Sequence, residues 1–95
     1  MNKHHNLAKE KGWWDDRDPL DPKDQTIILA LIGTEVSEAI QEVRKGNTEA
    51  MKEELSDIVI RVLDFAGALD LDLDLEIEKK YNINKNRPRK HGRLL

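Results

Sequence analysis

Three observations predict an all-α fold for this chain of 95 residues. Between Asp21 and Leu69 the apolar residues recur at spacings of three and four, the period of a helix face. Two long segments carry helix start and stop residues at their ends. Only the dipeptide "GN" joins them, a link so short that consecutive helices must turn back side by side. The expectation is a small helical domain built on an antiparallel αα-hairpin. A domain of this length buries only about 60 to 65% of its unfolded surface. A helical bundle completed by oligomerisation is therefore expected, with residues 1–95 forming one domain.

Taken in order, "NLAKEKGWW" suits a short helix closed by Gly12, and "DDRDPLDP" is a turn-rich linker because proline disfavours helix at the residue before it. The first long helix should start with Asp21 as N-cap, Pro22 at its first position and Asp24 in the first turn, and stop at Gly46. Its stripe is Ile27, Ile28, Leu31, Ile32, Val36, Ala39, Ile40 and Val43. The second should run from Thr48 as N-cap to about Leu69, with Leu55, Ile58, Val59, Val62, Leu63 and Ala66 on its apolar side and Gly67 near its end. "DLDLDLEIEKKYN" alternates like a strand, but a lone strand has no partner here, so a helix capped by Asp72 or Asp74 is expected. Residues from about 84 to 95 should form a basic, irregular tail.

The net charge of −3 conceals an asymmetry: Lys79, Lys80, Lys85, Arg87, Arg89, Lys90 and Arg93 lie in a stretch without a single acid, while the middle is acidic. Cysteine is absent, which excludes a disulfide framework and thiolate metal sites and fits a reducing compartment. No apolar run is long enough to span a bilayer, and the N-terminal stretch lacks the apolar core of a signal peptide. The expectation is a soluble, cytoplasmic protein without membrane partners.

The acids of the hairpin carry the chemistry. Glu35 with Glu38, and Glu54 with Asp57, are pairs three residues apart, so each pair projects from one helix face. Charged residues at this spacing decorate many solvated helices, and 37% of this chain is charged. Two pairs on helices that pack antiparallel are different, because the hairpin can bring all four carboxylates together. Such a cluster is tolerated if it protonates, pairs with bases or binds a divalent cation. All-oxygen donors suit a hard cation, Mg²⁺ first with Mn²⁺ as substitute, and di-iron bundles would need Glu-x-x-His pairs that are missing. Mg²⁺ commonly binds through carboxylates together with substrate phosphates, which points to a phosphorylated substrate.

The pattern E35-V-S-E38 followed after 15 residues by E54-L-S-D57 resembles the ExxE…ExxD signature of the MazG-like family of all-α nucleotide pyrophosphohydrolases. "KGWWDD", "DIVIRVLDFAG" and "KKYN…NRPRKHG" resemble further stretches of that family, so the likeness spans nearly the whole chain. It implies Mg²⁺-dependent hydrolysis of nucleoside or deoxynucleoside triphosphates to monophosphate and pyrophosphate, a nucleotide-pool cleaning role, and a homodimer or homotetramer. It also implies that Glu35, Glu38, Glu54 and Asp57 are the catalytic metal ligands, and that Lys80, Tyr81, Asn82, Arg87 and His91 face the substrate. The spacing between Asn82 and Arg87 is longer than the family form, which leaves Asn86 and Lys85 open as alternatives to Asn82 and Lys80.

Trp13 and Trp14 are candidate substrate-binding residues, since an indole stacks on many bases. Adjacent side chains point apart, so one should face the ligand and the other pack. Trp14, nearer the metal-bearing helix, is expected to face the base. Asp70, Asp72 and Asp74 open like a calcium loop, but Leu75 and Tyr81 stand where that loop needs Gly and Glu. His4 and His5 are expected in solvent, and Arg61 is expected to pair with Asp57 or Asp64 on its own helix. The rival reading is a non-enzymatic helical module binding nucleic acid through the basic tail. The acidic surface opposes a polyanion, and that reading leaves the four acids unused, so no nucleic-acid partner is expected.

Overall fold

The computed structural model describes residues 2–88. They form four helices and, among the described residues, no strand: α1 (Lys3–Glu10), α2 (Pro22–Arg44), α3 (Thr48–Ala68) and α4 (Leu73–Lys85). The predicted all-α fold and the helical choice for the Asp/Leu repeat are therefore correct.

Local chemistry accounts for each boundary. Asp21 accepts the Lys23 N–H at the start of α2, and Pro22 occupies a first-turn position whose N–H would have no helical partner. Gly46 ends α2 in the left-handed region (φ 72°). Its N–H reaches Val43 O and the Asn47 N–H reaches Glu42 O, satisfying two terminal carbonyls in a Schellman arrangement. The cap of α3 is Asn47, whose side chain accepts the Ala50 N–H, and Thr48 is already helical. The expected Thr48 cap is thus displaced by one residue, because the side chain that can turn back on the first N–H groups belongs to the residue still outside the helix.

The same device closes α1 at Gly12 (φ 79°) and α3 at Asp70 (φ 53°), with Trp13 N–H on Ala8 O and Leu71 N–H on Ala66 O. Asp72 then caps α4 by accepting the Leu75 N–H, and Asp74 lies in its first turn. The alternating aspartates are a helix stop followed by a helix start. Asn84 and Lys85 belong to α4, so backbone outside a helix begins at Asn86.

α2 and α3 pack against each other as the hairpin, and α1 lies on α3. α4 has no comparable packing. Buried side chains among the described residues are Ala8, Ile28, Ala39 and Ala66, so the core is thin and mostly methyl groups. Ile40, Val43, Leu55 and Val59, all from the two predicted stripes, remain 47 to 61% exposed. The radius of gyration is 15.8 Å, against about 12 Å for a compact domain of this length. No helix among the described residues is long and apolar enough to cross a membrane.

Candidate functional site

Ile28, Leu31, Glu35 and Glu38 follow one another on α2 at intervals of three, four and three, and Glu54, Asp57, Arg61 and Asp64 do the same on α3. Each set therefore marks one continuous face of its helix. With the helices antiparallel, an apolar end of α2 lies toward Arg61 and Asp64, and its acidic end lies toward Glu54.

Carboxylate oxygens of Glu35, Glu38 and Glu54 lie within 4.8 Å of one another. Asp57, the fourth expected member, is exposed and outside this triplet. Its charge still reaches the site, since it contributes to the raised pKa of Glu54. That carboxyl is pushed up to about 7, first by the hydrogen bond with Glu35, then by desolvation and by the negative charges of Glu38, Glu35 and Asp57. For Glu35 burial acts upward, but the hydrogen bonds with Glu54 and Arg61 and the Arg61 charge outweigh it and hold the carboxyl below its ordinary value. The two carboxyls are thus pushed in opposite directions, Glu54 toward holding its proton and Glu35 toward losing it. Glu54 Oε2 is buried without a partner among the described residues, an acceptor that a cation would satisfy. Three clustered carboxylates, all oxygen donors, fit a hard divalent ion.

The shifts fix the sign of a pH effect. Glu54 binds its proton more tightly folded than unfolded, so its contribution is complete below the ordinary value of 4.5 and is lost as pH rises through about 7. Glu35, shifted the other way, contributes fully above its ordinary value of 4.5 and loses that contribution as pH falls below it. Without divalent ions, the melting temperature should fall between pH 5 and 8 through this pair, as differential scanning fluorimetry would register. Because a cation binds the ionised triplet, millimolar Mg²⁺ should raise the melting temperature, and more at pH 8 than at pH 6. A Mg²⁺ response absent at both pH values would mark the triplet as merely solvated acids.

Arg61 Nε donates to Glu35 Oε1 at 3.0 Å across the hairpin. The expected pairing with Asp57 or Asp64 on its own helix is therefore incorrect; helix rotation places the guanidinium over α2 instead. Arg61 also lines a cleft of about 320 Å³ with Trp13, Trp14 and Asp64, closed on the α2 side by Ile28 and Leu31 and bordered by Arg17. Arg61 thus touches both the acidic triplet and the cleft.

The two tryptophans sit differently in the cleft. Both line the cleft, but Trp14 is half-buried and its Nε1–H donates to Asp64 Oδ1 at 2.9 Å, whereas Trp13 is 58% exposed. Trp13 therefore offers the accessible ring face. His5 is not in solvent: its Nδ1 lies 2.8 Å from the same Asp64 oxygen, and its ring meets Trp14 edge-on at 5.7 Å. Arg17 and the cleft roles of Asp64, Ile28 and Leu31 were not expected from the sequence. For Asp64, Ile28 and Leu31 the legible signal was the three-four-three spacing that continues each acidic pair toward them; Arg17 had none.

Lys80, Tyr81, Asn82 and Arg87 are exposed on or just beyond α4, and none lines the cleft or joins the triplet. Asn86 donates to Asn82 O, and Arg87 donates to Asn84 Oδ1. His91 lies outside the described residues.

A family model described as the MazG nucleotide pyrophosphohydrolase domain matches residues 23–93. The matched span holds α2 from its second residue, α3 and α4 with all four acids, and leaves out α1 and both tryptophans. No curated protein and no solved structure matches the chain.

Proposed function

Since the chain belongs to the MazG nucleotide pyrophosphohydrolase family, we propose that it hydrolyses nucleoside triphosphates, deoxynucleotides included, to the monophosphate and pyrophosphate in a Mg²⁺-dependent reaction. The observation that carries this reading is the Glu35–Glu38–Glu54 triplet joined through Arg61 to a tryptophan-walled cleft. A hard cation and phosphates belong at one end, a flat base at the other.

The residues that would hold Mg²⁺, or Mn²⁺ in its place, are Glu35, Glu38 and Glu54, with Asp57 entering the set if its side chain turns inward. When bound, the cation supplies Lewis-acid stabilisation of charge on the phosphate oxygens. Glu38 is the exposed member of the triplet and takes a proton from water as the water oxygen attacks the α-phosphorus. The bond from the α-phosphorus to the bridging oxygen breaks, and pyrophosphate leaves with the electron pair. Arg61 stands where a guanidinium can meet phosphate oxygens, and its bond to Glu35 keeps that carboxylate ionised and oriented. Trp13 provides the ring on which the base stacks. Such an enzyme would serve as a cytoplasmic cleaner of the nucleotide pool.

The direct test is a panel of ribo- and deoxyribonucleoside triphosphates, with and without Mg²⁺ or Mn²⁺, and product identification. Monophosphate and pyrophosphate in equal amounts, only with the metal, is the expected result; release of inorganic phosphate would refute it. Trp13→Ala should raise KM roughly fivefold or more at little cost in kcat, since stacking is worth about 1 to 3 kcal/mol per base. An unchanged KM would remove Trp13 from the base site.

The same reading includes a homodimer or homotetramer. Exposed Ile40, Val43, Leu55 and Val59, with Leu75, Ile77, Tyr81 and Ile83 on α4, leave many large apolar side chains in water beside a thin core. Assembly would cover it and give Lys80, Tyr81, Asn82 and Arg87 a route to a neighbouring copy's phosphates. Light scattering at micromolar concentration should give at least twice the 11.0 kDa chain mass. A monomer would overturn the assembly.

A further inference from the structure

Asp64 is an acid set among the apolar residues of α3, with a side chain only 15% exposed. Burying a carboxylate is costly unless donors converge on it. Two do, from distant parts of the chain: Trp14 Nε1–H at 2.9 Å and His5 Nδ1 at 2.8 Å, both on Oδ1. A carboxylate only accepts, so Nδ1 carries the His5 proton.

Trp14 lies in the turn after α1. The Asp64 bond and the edge-on His5 ring, inclined 76° to the indole, both act on its orientation. His5 is itself fixed. α1 starts at Asn2, whose side chain accepts the N–H groups of His4 and His5 and donates to Leu63 O on α3. Asp64 and Trp14 both line the cleft.

We propose that Asp64 is a positioning residue, which fixes the Trp14 ring as a rigid wall of the nucleotide cleft through one carboxylate oxygen shared with His5. α1 and the tryptophans, outside the span matched by the family model, thereby become part of the substrate site. The proposal rests on the nucleotide reading of the cleft. A ring held before the base arrives spares the ordering entropy of binding, so loss of the bond appears in affinity rather than in the chemical step.

The test compares Asp64→Ala and Asp64→Asn with the wild-type chain. In the nucleotide-free protein, NMR of the indole N–H groups, assigned with Trp13→Phe, should show the Trp14 signal moving upfield and exchanging faster in Asp64→Ala. Asp64→Asn, which keeps a neutral acceptor and guards against a misfolded alanine variant, should fall between. Affinity for a non-hydrolysable triphosphate analogue by calorimetry, and KM for hydrolysis, should both weaken roughly five- to tenfold, the cost of ordering one loosened side chain on binding, while kcat stays within about twofold. An unmoved Trp14 signal overturns the proposal. So does a moved signal with unchanged analogue affinity, or a fall in kcat with KM constant. A wild-type chain that binds the analogue but hydrolyses no triphosphate sinks the reaction and leaves the positioning role standing if the affinity loss is found.

Discussion

Glu38→Gln should lower kcat roughly 10²- to 10⁴-fold, the range associated with removing a positioned proton acceptor. The substitution keeps side-chain size and removes one charge from the triplet. Because Glu38 lies on the exposed side of the cluster, its loss leaves the packing of α2 on α3 unchanged. Circular dichroism should therefore match the wild-type spectrum, and the metal-free melting temperature should hold or rise as repulsion on Glu54 falls. The Mg²⁺-induced rise should shrink. Turnover at the wild-type rate in the same Mg²⁺ would show that the triplet is not the catalytic centre. A kcat loss accompanied by loss of helix would not count as support, which is why both measurements belong to the test.

Gly67→Ala carries the largest expected effect on stability. A Cβ at Gly67 would lie 2.5 Å from His5 Cβ and 2.9 Å from Asn2 Nδ2. His5 Cβ is tied directly to the α1 backbone, so α1 itself must move. Overpacking of this kind costs about 1 to 3 kcal/mol, while replacing a helical Gly by Ala returns at most roughly 1 kcal/mol. The clash should win. The melting temperature should fall by several degrees, at about 4 to 8 °C per kcal/mol for a domain of this size. Lifting α1 also separates His5 from Asp64, so KM should rise. Gly33→Ala is the control, because nothing lies within 4 Å of the added carbon; it should hold or raise the melting temperature. A stable Gly67→Ala chain with normal KM would mean that α1 does not depend on this close approach.

Sequence alone determined the hairpin, the helix stops at Gly12 and Gly46, the helical state of the Asp/Leu repeat and the acidic pairing on α2 and α3. These features share a cause. Caps, Schellman closures and i, i+3 faces are settled by hydrogen bonds and geometry within about five residues, and a linear text records them. The Thr48 cap missed by one residue because Asn47 and Thr48 are both competent caps and only backbone conformation distinguishes them. Tertiary structure alone decided that Arg61 reaches Glu35 on α2, that Asp57 stays outside the triplet, and that His5 and Trp14 meet at Asp64 while Trp13 keeps the accessible ring. Those contacts join residues 26, 59 and 50 positions apart. They depend on how far each helix is rotated about its axis and on where α1 settles beside Gly67, and a side-chain period constrains neither, because the same apolar stripe packs at many rotations until two particular surfaces interlock.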